Sequence, residues 1–137
     1  MVAPGLTPTE RAYLAGFFDG EGCVESNGRT VGITNTYPDV LYRFQRYFGG
    51  TVSPKVDNSG TGRRALWRWS CSGPDARHFL YIISPNLTEK RSQAETFLNA
   101  WAVKTGTPEH LRLLMRLRDL KHINYPHPDP KNPQATR

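Results

Sequence analysis

Two carboxylates that lie close together in the sequence, Asp19 and Glu21, are the first candidates for chemistry in this chain. Hard divalent cations such as Mg²⁺ bind oxygen ligands, commonly one or two carboxylates together with phosphate and water. Such an ion activates water and neutralises developing charge when a phosphodiester is hydrolysed. Glu21 is therefore either a metal ligand or an exposed acid that ends a helix, whereas Asp19 can accept hydrogen bonds from the backbone of a neighbouring helix.

A helix over residues 7–20 must position these acids. Thr7 is an N-cap residue, Pro8 suits the first helical position, and Glu10 completes a capping box. At 100° per residue, one broad face of this helix is bulky and carries Tyr13, Leu14, Phe17 and Phe18. The opposite face is almost without side chains and carries Ala12, Ala15, Gly16, Asp19 and Gly20.

The bare face predicts close packing against another backbone. A glycine inside a helix costs about 1 kcal/mol relative to alanine, so Gly16 and Gly20 on one face need a reason. Small residues four apart allow two helices to approach closely. We therefore expect the bulky face to pack on the core of this chain and the bare face to pack on something else.

The remaining periodicity predicts two hairpins separated by helices. Asn27-Gly28 is a hairpin turn between strands at 23–27 and 29–36, and a second pair of strands spans 51–56 and 64–71 around a flexible loop at 57–62. Helices are predicted from Tyr37 to Phe48, over 72–83, from a Thr88 cap to 104, and over 108–123. This order predicts an α+β fold, with a four-stranded antiparallel sheet covered by helices on one face and further helices at the C-terminus.

Residues 14–22, Leu-Ala-Gly-Phe-Phe-Asp-Gly-Glu-Gly, resemble the defining motif of the LAGLIDADG homing endonucleases. The match holds at Leu14, Ala15, Gly16, Asp19 and Gly22, while Phe-Phe replaces Leu-Ile, Gly replaces Ala, and Glu replaces the second Asp. The resemblance extends over residues 7–101, because the predicted order is the αββαββα core of that family, whose sheet is saddle-shaped. No second copy of the motif is visible, which favours the single-motif, homodimeric type.

The resemblance implies roles for several site residues. Glu21 and the Gly20 carbonyl would bind Mg²⁺, or another divalent cation such as Mn²⁺, where two bare faces meet at the dimer interface. Lys90, which follows the Pro85-Asn86-Leu87 break, would reach the active-site water; an ordinary solvated lysine is the alternative. Asn35 would position water through its amide, or else satisfy backbone groups in a turn. Asp19 would have a structural, helix-contact role.

The uncovered face of the predicted sheet is the candidate DNA surface. A two-stranded β-ribbon fits the major groove, where arginine and asparagine bind guanine and adenine edges. Its predicted members are polar and mostly basic: Glu25, Asn27, Arg29, Thr30, Thr34, Ser53, Lys55, Arg64, Arg68 and Ser70. Arg29, Lys55, Arg64 and Arg68 are the leading candidates for base contacts, and each could instead contact phosphate.

Composition bounds the function classes. The 137 residues suit one domain over 1–124, followed by a proline-rich tail at 125–137 that we predict to be disordered. The net charge of +6 suits a polyanionic partner, and residues 29–68 carry seven basic residues against two acids. Neither a membrane span nor a signal peptide is visible, and two cysteines make no disulfide framework. We therefore expect a cytoplasmic or organellar protein, in a phage or bacterial host cell, that is not secreted.

Together these features predict a homodimeric homing endonuclease that makes a double-strand break in a long, near-palindromic site on double-stranded DNA. The alternative from a different class is a non-cleaving nucleic-acid binder with the same fold. That binder would be a splicing maturase acting on intron RNA or a regulator that binds DNA. A small dimeric interaction module is the third hypothesis, and it predicts that binding ignores salt, whereas phosphate contacts make binding fall steeply with salt.

Overall fold

The structure is a computed structural model that describes residues 5–55 and 65–122. The predictions for the loop at 57–62, for Arg64 and for the tail at 125–137 lie outside the described residues. Within them, helices and strands follow the predicted order. They are α1 (Pro8–Glu21), β1 (Gly22–Val24), β2 (Thr30–Asn35), α2 (Pro38–Phe48), β3 (Thr51–Lys55), β4 (Leu66–Ser72), α3 (Pro74–Ile83), a 3₁₀ turn (Ser84–Asn86), α4 (Arg91–Ala102) and α5 (Pro108–Lys121).

The four strands form one antiparallel sheet in the order β1-β2-β4-β3. Ile33 pairs with Trp69 and Val31 with Cys71, which places these four buried side chains on one face. Thr34 pairs with Arg68, and Ser53 pairs with Arg68 from the other side, so these polar residues share the opposite face. The predicted alternation of an apolar and a polar face is confirmed, and the α+β fold class with it.

An aromatic cluster fills the space between the apolar face of the sheet and the helices. The Phe79 ring centroid lies 5.1 Å from that of Trp69, 4.7 Å from that of Phe48 and 5.0 Å from that of Phe18. Each of these rings belongs to a different element, and edge-to-face packing at such distances adds to the free energy gained by burial. The cluster fixes α1, α2 and α3 on one side of the sheet.

The N-terminus of α1 confirms half of the predicted capping box. Thr7 Oγ1 accepts a hydrogen bond from the Glu10 backbone N–H at 3.1 Å, as expected for an N-cap. The Glu10 carboxylate instead pairs with the Arg43 guanidinium on α2, with Nη2 2.6 Å from both carboxylate oxygens. This ion pair raises the pKa of Arg43, mainly through the hydrogen bond to Glu10, and it ties α1 to α2.

The C-terminal helices pack against the first hairpin. Thr107 caps α5 by accepting a hydrogen bond from the His110 N–H, and Leu117 is fully buried. Leu114 fills the space over Gly28, whose φ of +70° suits the hairpin turn predicted there. Within the described ranges, no helix is long and apolar enough to cross a membrane.

Candidate functional site

The C-terminal end of α1 holds the predicted catalytic acid. Glu21 is the last residue of the helix and is exposed. The final carbonyl groups of a helix have no partner within it. Here the Phe18 carbonyl accepts the Gly22 N–H, and the Asp19 carbonyl accepts the Lys90 ammonium at 2.5 Å. Among the described residues no donor is found for the Gly20 carbonyl, so it stays available beside the Glu21 carboxylate.

Asp19 anchors the start of α4. One of its oxygens accepts the backbone N–H groups of Thr88 and Glu89, each at 3.0 Å, and the other accepts that of Lys90 at 2.8 Å. Burial alone would raise the pKa of Asp19, but these three bonds and the Lys90 charge outweigh it, so the pKa lies below its usual value. The predicted helix-contact role is confirmed. The assignment of Asp19 to the dimer interface stays a prediction.

The bonds to Asp19 also explain why α4 begins later than predicted. The prediction that Thr88 is its N-cap is wrong: the helix begins at Arg91, and Lys90 occupies the cap position without a side-chain cap bond. The N–H groups of the residues just before the helix, Thr88 to Lys90, are instead bonded by Asp19, which lies about 70 positions earlier in the chain. Local sequence could not indicate that partner.

Lys90 places its ammonium at the C-terminal end of α1. Its ammonium binds the carbonyl of Asp19, two residues before Glu21, and its side chain is partly buried. A helix C-terminus carries partial negative charge, so a carboxylate there is unfavourable by about 0.3–1 kcal/mol. Glu21 therefore adds negative charge to a negative end, and Lys90 only partly offsets it. The local potential favours a cation next to Glu21.

The predicted bare face of α1 is exposed and empty within this chain. Ala12, Gly16 and Gly20 are exposed, and a Cβ added at either glycine would meet no atom within 4 Å. The prediction that Ala15 belongs to this face is wrong, since Ala15 is 0% exposed and packs in the core with Leu14 and Phe18. What remains is a strip of three small residues, one per helical turn, along which the backbone of α1 is exposed.

Asn35 takes the turn role. Its side-chain oxygen accepts the backbone N–H of Tyr37 at 2.9 Å, just where β2 ends and α2 begins. Asn35 also pairs with Trp67, which places it in register with the helix-covered face of the sheet. The structure therefore favours the turn alternative over the catalytic one.

The donor set at the end of α1 fits a hard cation in kind. A carboxylate oxygen and a backbone carbonyl are the ligand types that Mg²⁺ prefers. The described residues contain no group of three or more His, Cys, Asp or Glu side chains that could hold a metal ion together. One chain thus offers one carboxylate and one carbonyl, and these would serve a site that is completed by substrate oxygens or a second copy.

Six of the predicted polar residues lie on strands at the open face of the sheet. Register places Thr30, Thr34, Ser53, Lys55, Arg68 and Ser70 on this face. Arg29 is exposed in the hairpin loop that follows β1. Asn27 has a structural role instead: its oxygen accepts the N–H groups of Arg29 at 2.8 Å and Thr30 at 3.1 Å, and its NH₂ donates to the Thr30 hydroxyl. Asn27 therefore stabilises the turn, and its contact with DNA stays a prediction.

A cluster of polar groups, here called the Arg68 clamp, lies in the middle of the open face. Arg68 Nη2 donates to Glu25 Oε1 at 3.2 Å and Nη1 donates to Thr34 Oγ1 at 3.3 Å. Lys121 at the end of α5 lies 3.8 Å from the other Glu25 oxygen. The guanidinium passes over Gly32, where a Cβ would stand 2.4 Å from Nη2. Sequence reasoning missed Gly32 and Lys121, although a glycine inside a strand is a known sign of close approach.

The sequence profile of the LAGLIDADG-like domain matches residues 8–84, which is more than half of the chain. This chain belongs to the LAGLIDADG-like family. A comparison with curated protein sequences gave no match. The LAGLIDADG match begins at the first residue of α1 and ends at the 3₁₀ turn, so it contains the acids, the bare face and the whole sheet.

Solved structures of LAGLIDADG homing endonucleases share this fold. One is I-CvuI in complex with the I-CreI target in the presence of Mg, with DNA not cleaved; its TM-score is 0.65 at 22% identity, covering 88% of this chain and 87% of that one. I-CvuI in complex with its own target in the presence of Ca has a TM-score of 0.65 at 23% sequence identity, and the match covers 85% of this chain and 84% of that one. The archaeal intron-encoded I-Vdi141I complexed with DNA has a TM-score of 0.60 at 17% sequence identity, and the match covers 88% of this chain and 89% of that one.

Proposed function

We propose that this chain is a homing endonuclease that acts as a homodimer and makes a double-strand break in duplex DNA by metal-dependent phosphodiester hydrolysis. The observation that carries the proposal is the position of Glu21. It is an exposed carboxylate at the negative end of α1, directly after a strip where the backbone is uncovered. One chain supplies half of a symmetric site, and a second copy supplies the other half.

The bare face supports the homodimer. Its exposed members are Ala12, Gly16 and Gly20, and no other described part of the chain packs against the two glycines. Because these residues have small side chains or none, this face of α1 can approach the same face of a second copy closely. A twofold axis through this strip would bring the two Glu21 carboxylates toward each other. A protein with that symmetry suits a nearly palindromic DNA site.

The residues at the end of α1 would have different roles in the hydrolysis. A divalent cation bound there would supply an activated water and would neutralise charge on the phosphate. Glu21 and the Gly20 carbonyl would hold it. Lys90, whose ammonium is held by the Asp19 carbonyl, would supply a positive charge beside the scissile phosphate. Asp19 keeps Lys90 in place through the backbone of α4, so it acts by positioning and not on substrate.

The open face supports duplex DNA as the partner. I-CvuI and I-Vdi141I, which have the same fold, are structures in complex with DNA. In this chain the open face carries cations, among them Lys55 and Arg68, and small hydroxyl side chains that would not obstruct a groove. Binding is expected to fall steeply with salt, because cations on this face would release counterions from phosphates.

The test is cleavage of plasmids that carry the sequence flanking the gene, compared between the wild-type protein and Glu21→Gln. Even partners of metal ligands change activity 10- to 100-fold, so loss of the ligand itself should reduce cutting by more than about 100-fold. Binding of the same DNA should persist in the variant. Glu89→Gln is the control, since it removes an equal charge from an exposed acid at the start of α4.

Three outcomes are informative. Cutting that requires Mg²⁺ and Glu21 but not Glu89 supports the proposal. Cutting by Glu21→Gln at the wild-type rate would refute the assignment of the site. Binding of duplex DNA or intron RNA without cutting by the wild-type protein would refute the enzyme and would leave a non-cleaving binder with this fold.

A further inference from the structure

Arg68 differs from the other cations of the open face in its location. It lies on β4, one of the two central strands, whereas Lys55 is on the edge strand β3 and Arg29 is in the loop between β1 and β2. When a sheet face lies along a groove, the central strands face the base edges and the margins face the two phosphate backbones. Position alone therefore separates Arg68 from Lys55 and Arg29.

The Arg68 side chain crosses β2 because Gly32 leaves room for it. An ideal Cβ at residue 32 would lie 2.4 Å from Nη2 and 2.7 Å from Cζ of Arg68. Any other residue at this position would push the guanidinium away. Gly32 is opposite Ser70 and next to the Thr34–Arg68 pair in the register, so the side chain runs diagonally over the strand. The φ of Gly32 is one that any residue can adopt, so the close approach of Arg68 is what explains a glycine in the middle of this strand.

Two neighbours hold the guanidinium over Gly32, and a third residue contacts one of them. Glu25 accepts from Nη2, Thr34 accepts from Nη1, and Lys121 lies within ion-pair distance of the free end of the Glu25 carboxylate. The side chains of Arg68 and Glu25 are 29% and 34% exposed, so the pair is accessible but not fully solvated. A guanidinium has five N–H donors. Two contacts orient it without exhausting it.

This arrangement suits base recognition better than phosphate attraction. Arg68 shares the Glu25 carboxylate with Lys121, so these three groups together carry one net positive charge and Arg68 adds less to the attraction of a polyanion than an unpaired cation would. A guanidinium held in one orientation is suited to two simultaneous hydrogen bonds with the O6 and N7 acceptors of guanine. Holding it in the free protein also reduces the side-chain entropy lost on binding.

We propose that Arg68 is a specificity-determining residue that binds a guanine in each half-site, and that Glu25 is its positioning residue. This inference depends on the proposed function, since it requires that the open face bind duplex DNA. It selects one residue from the three basic candidates that the structure describes. It also assigns Glu25 a role other than a base contact of its own.

The experiment is selection of bound sequences from a randomised duplex DNA library, with wild type, Arg68→Lys, Gly32→Ala and Glu25→Gln. Arg68→Lys keeps the charge but loses the two-pronged contact, so one guanine per half-site should lose about 5- to 100-fold of its preference. Gly32→Ala should cause the same loss with Arg68 intact. Glu25→Gln should weaken that preference while increasing affinity for unselected DNA, because it removes a negative charge.

Two controls separate this role from general binding. Glu95→Gln removes an exposed acid that is paired with Arg91 on α4, away from the sheet, and should leave the selected sequences unchanged. Lys55→Ala should reduce the slope of log affinity against log salt by about 1, whereas Arg68→Lys should not change it. Thermal unfolding of each variant verifies that the fold persists.

Unchanged guanine preference in a folded Arg68→Lys variant would overturn the assignment of Arg68 while leaving the proposed function intact. Full preference in Glu25→Gln, with Arg68→Lys defective, would overturn the positioning role of Glu25. A wild-type protein that enriches no sequence from the library would refute the proposed function and this inference with it.

Discussion

Replacement of Asp19 by asparagine tests the link between α1 and α4. Asparagine keeps the shape of the side chain but offers one acceptor oxygen. If that oxygen keeps the bonds from Thr88 and Glu89, its NH₂ group faces the partly buried N–H of Lys90. An N–H left without a partner costs about 1–3 kcal/mol, and the lost charge at the start of α4 costs about 0.3–1 kcal/mol.

Because two of the three donors are exposed and water can replace part of the loss, we expect Asp19→Asn to lower the free energy of unfolding by about 2 kcal/mol. Urea denaturation measures this, with the fluorescence of the buried Trp69 as the probe. For a slope near 2 kcal/mol per molar, the midpoint should fall by about 1 M. Asp119→Asn is the control, because the side chain of Asp119 is 71% exposed and should change stability by less than about 0.5 kcal/mol.

The same variant should change how stability depends on pH. The pKa of Asp19 is lower in the folded chain than in the unfolded chain, where it is about 3.9. Its contribution is therefore complete above about pH 4 and is lost as the pH falls through the folded-state pKa. The gap between wild type and Asp19→Asn should narrow below pH 4. Equal midpoints at pH 7, or a gap that stays constant down to low pH, would refute this account of Asp19.

Three further predictions follow from the packing. Gly16→Leu should dissociate the homodimer and abolish cutting while the monomer stays folded, because the space beside Gly16 is empty within the chain; sedimentation velocity measures this, and an active dimeric variant would contradict it. Burial, with a smaller contribution from Asp75, raises the pKa of Cys71 to about 12, so iodoacetamide at pH 8 should alkylate the partly exposed Cys23 first, as followed by mass spectrometry; faster labelling of Cys71 would exclude its burial. Phe79→Ala should cost about 3–5 kcal/mol in urea denaturation, since Phe79 packs edge-to-face on four rings, and a loss below about 1 kcal/mol would argue against the aromatic cluster.

Much of the fold could be predicted from local patterns, because those patterns record short-range physics. The Thr7 cap, the turn at Asn27-Gly28 and the stop at Gly49 depend on residues a few positions apart. The two faces of the sheet also follow from alternation, so the polar surface with Thr34 and Arg68 was predictable.

What could not be predicted depends on partners distant in sequence. Glu10 pairs with Arg43 on another helix, and the cap of α4 comes from Asp19 in place of the nearer Thr88. The prediction for Ala15 is wrong for a different reason: a methyl side chain at the border of the two faces carries too little apolar area for its periodicity to decide its burial. At Asn35 an amide suits water and backbone equally well, and only its contact with Tyr37 distinguishes them.

The glycine under the Arg68 clamp has a consequence for engineering new DNA targets. Arg68 contacts both Glu25 and Gly32, so the effects of substitutions at residues 25, 32 and 68 should not add. In a library that varies Arg68 alone, every new side chain would have to fit the space over Gly32 and the carboxylate of Glu25, both of which suit arginine. Retargeting should therefore vary the three positions together, as a single unit of sequence space, and keep Lys121 constant so that any new partner at position 25 has the same electrostatic surroundings.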